Sequence, residues 1–287
     1  MTFAVLADIH SNRIALEACV KEARKRHAEA FLFLGDYLGE LAFPERTLEA
    51  LEALSRQFPC TFIRGNKEDY WIDRFHGRNE DWVWEAGKSG SGMLKYVYDR
   101  LTPAQIEAFG KMPVSMTLRF PGFPDFVICH GSPWHTDESL REDLAEAPVR
   151  RLETELTLCG HFHIQSLYIR EGKRVVNPGA VGMPIGSGGR TQFMMLSGHD
   201  GKWETEFLTL PYDRERVIRE MDEERLYEQA PGWYRVTKAF LRGGRITHRM
   251  VLDRAHELYA QSTGIRDWKS IPEAYWNLAM KELNVPE

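Results

Sequence analysis

Near the start of the chain, three short apolar runs each stop abruptly at a polar residue. The runs cover residues 3–7, 30–34 and 60–63, and segments with helical spacing of apolar residues separate them. Short apolar runs bounded in this way predict buried strands. Strands that alternate with helices predict parallel pairing through right-handed crossovers. The chain is therefore expected to begin as a β-α-β-α-β unit.

The pattern changes beyond residue 112, where pairs of apolar segments flank short turns. The paired segments are 114–120 with 125–129, 166–170 with 174–176, and 192–196 with 203–208. The turns contain glycine, proline or aspartate, which predicts three β-hairpins. From the residues alone, we expect an antiparallel sheet beside the parallel one.

Two segments lie outside this plan. An insertion at about 67–112 carries three of the eight tryptophans, and residues 211–287 have the apolar spacing of helices. The final segment is either a dimerisation arm, which would make a homo-oligomer, or a cover packed on the rest of the chain. We divide the chain into a first domain of residues 1–210 and a helical C-terminal extension.

Composition excludes several classes of protein. The net charge is −5, so general electrostatic binding of nucleic acid is not expected. No run approaches the roughly 20 apolar residues of a membrane span, and the first residues are too few and too acidic for a signal peptide. The four cysteines have no CxxC spacing, so neither a disulfide framework nor a zinc knuckle is indicated. We expect a cytoplasmic protein without a membrane partner.

Short polar motifs follow the apolar runs. They are Asp8-x-His10, Gly35-Asp36, Gly65-Asn66, His130-Gly131 and Gly160-His161-x-His163. Asp, Asn and His are ligands that suit Mn, Fe or Zn, and the carboxyl ends of parallel strands meet at one edge of a sheet. Each motif alone also fits an ordinary turn, and His130 alone favours a structural role. Together the five motifs favour a metal site.

This ordered set resembles the calcineurin-like metallophosphoesterase superfamily. The segments Asp8-Ile9-His10-Ser11-Asn12 and Asn177-Pro178-Gly179-Ala180-Val181 are similar to its small bacterial and archaeal phosphodiesterase branch. The resemblance covers about residues 1–210. It implies an α/β fold, a four-layer αββα sandwich of two mixed sheets, with the helical insertion and the helical C-terminal extension added to it.

The resemblance also implies a dinuclear site for two divalent ions, either Mn, Fe or Zn. Matched by position, the ligands of the first ion are Asp8, His10 and His163, those of the second are Asn66, His130 and His161, and Asp36 bridges both. In the family, a hydroxide between the ions attacks phosphorus. The implied function is a hydrolase of small phosphate esters, foremost of phosphodiesters or nucleotide-like substrates.

The chain departs from the family at one position. The family motif is usually Gly-Asn-His-Asp/Glu, with the His as general acid, whereas this chain has Gly65-Asn66-Lys67-Glu68. We assign catalytic roles to Asn66 and Lys67. Lys67 either contacts a phosphate oxygen, acts as an acid whose pKa the two ions lower, or points to solvent. A diester with a good leaving group tolerates the missing acid better than a monoester does.

Further substrate contacts are assigned to Asn12 and Arg64, which adjoin the presumed ligands; a surface ion pair is the alternative for Arg64. The aromatic residues of the insertion either form the core of a helical subdomain, which is the commoner role, or cap the site and stack on a nucleobase.

Two other functions remain open at this stage. One is a phosphomonoesterase, either a protein Ser/Thr phosphatase or a dinucleoside polyphosphate hydrolase. The other is a non-catalytic scaffold such as the retromer scaffold subunit, which resembles the family and lacks the corresponding His. The full set of presumed ligands favours an enzyme, because a scaffold has no need to keep them.

Overall fold

The computed structural model describes residues 1–287 and contains ten strands. In chain order these are β1 (Thr2–Leu6), β2 (Ala30–Phe33), β3 (Cys60–Phe62), β4 (Ser115–Leu118), β5 (Phe126–Cys129), β6 (Leu156–Leu158), β7 (Gln165–Arg170), β8 (Lys173–Pro178), β9 (Thr191–His199) and β10 (Lys202–Leu210). They form two five-stranded sheets, ordered β10-β9-β1-β2-β3 and β4-β5-β6-β8-β7.

Eleven α-helices accompany the strands. They are α1 (Arg13–Lys25), α2 (Pro44–Ser55), α3 (Asn66–Phe75), α4 (Gly92–Tyr98), α5 (Pro103–Lys111), α6 (Glu146–Arg150), α7 (Arg214–Glu223), α8 (Leu226–Gln229), α9 (Pro231–Leu241), α10 (His248–Thr263) and α11 (Glu273–Glu282). A single 3-10 turn, Trp268–Ser270, lies between α10 and α11. None of the helices combines the length and the apolar character needed to cross a membrane.

The first sheet confirms the predicted β-α-β-α-β start. β1 pairs parallel to β2 with Phe3 opposite Ala30, and β2 pairs parallel to β3 with Phe31 opposite Cys60. The crossover helix α1 is capped by Asn12, whose side chain accepts from the Ala15 amide. The second crossover helix, α2, begins at Pro44, which has no amide hydrogen to satisfy. Parallel pairing brings the ends of β1, β2 and β3 to one edge.

All three predicted hairpins form, but they do not make one antiparallel sheet. The β9–β10 hairpin joins the first sheet, because β9 pairs antiparallel to the open edge of β1. In the second sheet, β5, β6 and β8 are parallel, and β4 and β7 pair antiparallel at its two edges. The expected antiparallel sheet is therefore wrong, and both sheets are mixed, as the family resemblance implied.

The two sheets face each other across a buried apolar layer. Residues such as Val5, Leu34 and Met194 of the first sheet meet Ile128 and Leu158 of the second. The outer face of the first sheet packs in one core with α1, α2 and α7. The outer face of the second sheet packs against α6 and the loops around it. The result is the four-layer αββα sandwich.

The insertion does not have a core of its own. Its buried side chains Trp71, Tyr96 and Phe109 belong to the same apolar cluster as Phe33 of β2. Helices α9 to α11 instead surround a separate small core that contains Trp276. Several hydrogen bonds bind the extension to the insertion; among them, the Gly87 amide donates to the Gln229 carbonyl, and Ser89 donates to Glu273. The extension therefore packs on the insertion as the predicted cover would, and a homo-oligomer stays a prediction.

Candidate metal centre

All seven predicted metal ligands lie together where strands of both sheets end. Asp8 and His10 follow β1, Asp36 follows β2, and Asn66 is the first residue of α3 after β3. His130 follows β5 directly, and His161 and His163 follow β6. The loops after β1 and β2 run side by side, since the amides of Asp8 and His10 donate to the carbonyls of Gly35 and Asp36.

The first group of donors is formed by Asp8, His10 and His163. Nε2 of His10 lies 3.1 Å from Nε2 of His163. Oδ1 of Asp8 lies 3.2 Å from Nε2 of His163 and 3.9 Å from Nε2 of His10. Three donor atoms within 4.8 Å of one another are close enough to hold one metal ion.

The second group is formed around Asn66. Its Oδ1 lies 3.0 Å from Nε2 of His130 and also 3.0 Å from Nδ1 of His161. Asp36 lies between the two groups: Oδ1 is 3.4 Å from Nε2 of His130, and Oδ2 is 3.8 Å from Nε2 of His10. Each oxygen of this carboxylate therefore faces a different set of donors.

Backbone carbonyls orient two of the imidazole rings. Nδ1 of His130 donates to the Leu34 carbonyl at 2.7 Å, and Nδ1 of His163 donates to the Met183 carbonyl at 2.9 Å. With Nδ1 protonated, Nε2 carries the lone pair and faces the centre of the site. Histidine ligands of metals are commonly held by a hydrogen bond of this kind.

The backbone at the centre adopts conformations that most residues avoid. Five of the seven predicted ligands have a left-handed φ: Asp8, His10, Asp36, His161 and His163. Such conformations cost free energy and concentrate at functional sites. The close packing of the centre also requires glycine at position 65, because a Cβ on Gly65 would lie 2.2 Å from Oδ1 of Asp36.

Glu68 fixes the loops that carry two of the ligands. Its buried carboxylate accepts from the amides of Asp36, Tyr37 and Gly65 at 2.8–3.0 Å. Burial and the neighbouring Asp36 raise the pKa of Glu68 to about 7. The three hydrogen bonds tie the loop after β2 to the first turn of α3, which sets the position of Asp36 relative to Asn66.

The donor set fits a divalent metal ion. The carboxylates of Asp8 and Asp36 are buried, and neither forms an ion pair with a lysine or an arginine. Burial opposes ionisation of Asp8, but His163 and the other histidines outweigh it and hold the pKa of Asp8 below its usual range. Buried carboxylates require a compensating cation, and nitrogen and oxygen donors suit first-row divalent metals.

Lys67 lies beside this centre in an ion pair. Its Nζ lies 2.8 Å from Oε1 of Glu40, whose Oε2 lies 3.9 Å from Nδ1 of His10. Burial favours the neutral amine, but Glu40 and Asp36 together outweigh it, so the pKa of Lys67 is raised above its usual value. Burial likewise opposes ionisation of Glu40, but Lys67, His10 and His248 together outweigh it and lower the pKa of that carboxyl to about 2. Of the three roles considered for Lys67, the solvent-facing one does not match this placement.

The two predicted substrate contacts lie away from the cleft. Nε of Arg64 lies 2.9 Å from Oδ1 of Asp69, and its Nη1 donates to carbonyls at the end of α5. Asn12 is the N-cap of α1, and its Nδ2 donates to the Gly182 carbonyl. Both side chains hold elements of the fold in place, and neither lines the cleft.

The cleft over the metal centre has a volume of about 370 Å³, and its lining includes residues outside the predicted set. Among them are Glu40, Arg141, Trp233, His248 and Arg249. Glu40 follows Asp36 in the same loop, so its nearness in sequence to a predicted ligand could have identified it as a residue of the cleft. The last three come from the C-terminal extension, and nothing local in their sequence points to a distant site.

The segment Asn177-Pro178-Gly179-Ala180-Val181, which belongs to the family resemblance, has a structural role at this centre. Nδ2 of Asn177 donates to the Gly160 carbonyl at 2.6 Å, and the amides of Val181 and Gly182 donate to the carbonyls of Ala7 and Asp8. The segment that follows β8 therefore fixes the loops that carry Asp8 and His161. It supports the ligands without contributing one.

The fold and the donor set define a metal-dependent hydrolase of phosphate esters. Residues 1–201 match the family model described as the calcineurin-like phosphoesterase superfamily domain, and the chain belongs to this family. Uncharacterized protein MJ0912 of Methanocaldococcus jannaschii is 24% identical over 242 residues, which cover 78% of this chain and 93% of that protein.

Two solved structures share the fold. A metallophosphoesterase from Sphaerobacter thermophilus has a TM-score of 0.62 at 22% identity and covers 78% of this chain and 94% of its own. The hypothetical protein PH1004 from Pyrococcus horikoshii OT3 has a TM-score of 0.69 at 21% identity and covers 85% of this chain and 99% of its own.

Proposed function

We propose that the chain is a phosphodiesterase that holds two divalent metal ions, Mn, Fe or Zn, and hydrolyses a small phosphodiester or nucleotide-like substrate. The observation that carries this proposal is the position of Asp36. Its two carboxylate oxygens face His10 and His130, at 3.8 and 3.4 Å, and these histidines belong to different donor groups. A carboxylate placed in this way is suited to bridge two ions.

Asp8, His10 and His163 would hold one ion, Asn66, His130 and His161 the other, with Asp36 shared. When bound, such ions polarise the phosphoryl oxygens and make water a better nucleophile. The chain's own residues orient these donors: the carbonyls of Leu34 and Met183 set two rings, and Glu68 fixes Asp36 relative to Asn66. Lys67 brings a positive charge to the edge of the cleft.

The ion pair of Lys67 with Glu40 favours diesters over monoesters. The 2.8 Å contact with Glu40 holds the ammonium of Lys67 in its charged form and uses one of its donor positions, so it is a poor donor of a proton to the leaving oxygen. Because Glu40 offsets the charge of Lys67, the pair adds no net positive charge to bind the second negative charge of a monoester dianion. A diester with a good leaving group depends on neither contribution.

The test compares two substrates on protein stripped of metal and reloaded with Mn²⁺. We expect metal-dependent hydrolysis of bis(4-nitrophenyl) phosphate that is at least about tenfold faster in kcat/KM than that of 4-nitrophenyl phosphate. Metal analysis of the dialysed protein should give two ions per chain. A monoester preference would favour the phosphomonoesterase alternative, and one ion per chain would overturn the bridging role of Asp36.

A further inference from the structure

A second cavity of about 450 Å³ lies beside the cleft over the metal centre. It is bounded by the insertion on one side and by the C-terminal extension on the other. Its lining shares several residues with that of the cleft, namely Glu40, Lys67, Trp233, Arg249 and Leu252. The cavity and the cleft therefore adjoin each other along these five residues.

Aromatic side chains form most of the walls. They are Tyr70, Trp82, Trp233, Trp268 and Trp276. The rings of Trp82 and Trp268 meet edge to face with centroids 4.9 Å apart, and those of Trp233 and Trp276 are 6.2 Å apart in a similar arrangement. Walls of this kind offer both faces and edges to a planar ring, whereas an aliphatic chain gains only apolar burial from them.

We propose that this cavity is an aromatic subsite, which binds a planar aromatic group of the phosphodiester substrate while the phosphate lies at the metal centre. The proposal rests on the proposed function. The size of the cavity is in the range of small-molecule pockets, and the few polar groups in its lining would orient the ring. Among these polar groups, Nε2 of His256 makes no hydrogen bond within the chain, and Asp253 and Ser89 stand nearby in the lining.

This assignment gives the insertion one of the two roles that the sequence left open. Its buried Trp71 and Tyr96 belong to the core of the sandwich and not to a subdomain of their own, while Tyr70 and Trp82 line the cavity. The opposite wall comes from the C-terminal extension, which lies beyond residues 1–201 that match the family. The aromatic subsite therefore needs the C-terminal extension as well as the insertion.

The first experiment uses metal-free protein, so that binding does not depend on hydrolysis. Adenosine and phenol are titrated by calorimetry, because they carry a nucleobase or a simple aryl ring and no phosphate. We expect at least one of them to bind with a Kd of about 1 mM or below. Tighter binding of adenosine would identify a nucleobase as the natural group, and tighter binding of phenol a simple aryl group.

Two variants assign the binding to the cavity. Trp268 is 38% exposed, so Trp268→Ala removes a wall without opening the core, and we expect Kd to rise about tenfold. Leu252→Trp fills the space between cavity and cleft and should abolish binding. Tyr227→Ala is the matched control, since Tyr227 is 43% exposed and lies outside the cavity lining. Circular dichroism and thermal unfolding verify that each variant is folded.

A second readout uses the Mn²⁺-loaded protein and bis(4-nitrophenyl) phosphate. Trp268→Ala should raise KM about tenfold and leave kcat within about twofold, because the ring contributes binding and not chemistry. The proposal is overturned if neither compound binds at about 10 mM, or if Trp268→Ala and Leu252→Trp bind as the unchanged protein does. Binding of adenosine without any hydrolysis would instead refute the proposed function and leave the subsite standing.

Discussion

Nζ of Lys67 lies 2.8 Å from Oε1 of Glu40 at the edge of the metal centre, and their side chains are only 16% and 9% exposed. The lysine occupies the position at which related motifs usually have a histidine. Its partner comes from the loop after β2, and the ring of Trp233 lies 5.9 Å from the same ammonium. One ion pair thus joins the metal centre, the insertion and the C-terminal extension.

Breaking this ion pair from one side is expected to destabilise the fold. Lys67→Met leaves Glu40 buried without a partner, and we expect a loss of about 2 kcal/mol in the free energy of unfolding. The double variant Lys67→Met/Glu40→Gln should recover at least about 1 kcal/mol of this loss. Urea unfolding of the metal-free proteins measures both values. The exposed pair Arg56–Glu52, at 2.7 Å on α2, is the control and should show a coupling below about 0.5 kcal/mol.

His161→Ala is expected to remove metal and activity together. The change deletes one of the two imidazole nitrogens that lie 3.0 Å from Oδ1 of Asn66. We expect the hydrolysis rate to fall at least about 100-fold and the metal content to fall below that of the unchanged protein. The control is His199→Ala at the exposed end of β9, which should alter neither quantity. Full metal content in His161→Ala would remove this residue from the ligand set.

Gly65→Ala tests the close packing of the centre. The added Cβ would lie 2.2 Å from Oδ1 of Asp36, so the carboxylate must move away from its place between the donor groups. We expect metal affinity to fall more than about tenfold and stability by about 1–3 kcal/mol. In Gly110→Ala no atom lies within 4 Å of the added Cβ, and this helix position should gain up to about 1 kcal/mol. Titration with Mn²⁺ measures the metal affinity of both variants, and urea unfolding measures their stability.

His248 makes stability depend on pH. Burial lowers the pKa of His248 to about 4, whereas the unfolded chain has a pKa near 6.5. Between these values the unfolded state binds more protons, so stability rises with pH, is complete above about 6.5 and is lost as pH falls toward 4. From pH 7.5 to pH 5 this group should account for a loss of about 2 kcal/mol.

The variant His248→Gln isolates this contribution, because glutamine keeps a partner for Oγ1 of Thr237, which lies 2.8 Å from Nε2 of His248, but does not titrate. Its free energy of unfolding, measured in urea on metal-free protein, should fall about 2 kcal/mol less over the same pH interval. His199→Gln, at an exposed position, should follow the unchanged protein. Parallel pH dependence of His248→Gln and the unchanged protein would contradict the lowered pKa.

Part of the candidate metal centre could be predicted from the strand pattern, because several of the predicted ligands follow strands directly. Asp8, Asp36 and Asn66 come after β1, β2 and β3, and parallel pairing alone brings such positions to one edge. His130 and His161 follow β5 and β6 in the other sheet, and pairing rules do not say how two sheets pack. Their place in the same site was predicted from the family resemblance.

Other positions depend on how distant segments pack. Trp233 and His248 reach the cleft only because the extension folds back over the insertion, and no periodicity specifies that direction. Arg64 adjoins a ligand in sequence, yet a side chain after a strand can point either way, and here the end of α5 attracts it. The β9–β10 hairpin shows the same limit, because its turn predicts the hairpin but not the sheet it joins.

The predicted metal donors follow strands of both sheets of the sandwich: Asp8, His10, Asp36 and Asn66 follow strands of the first, and His130, His161 and His163 those of the second. In the assignment proposed above, each ion needs donors from both. A partly folded chain with one sheet formed can then assemble no complete coordination sphere. Metal binding is therefore expected late in folding, after the two sheets have docked. A bound ion would then cross-link the two sheets.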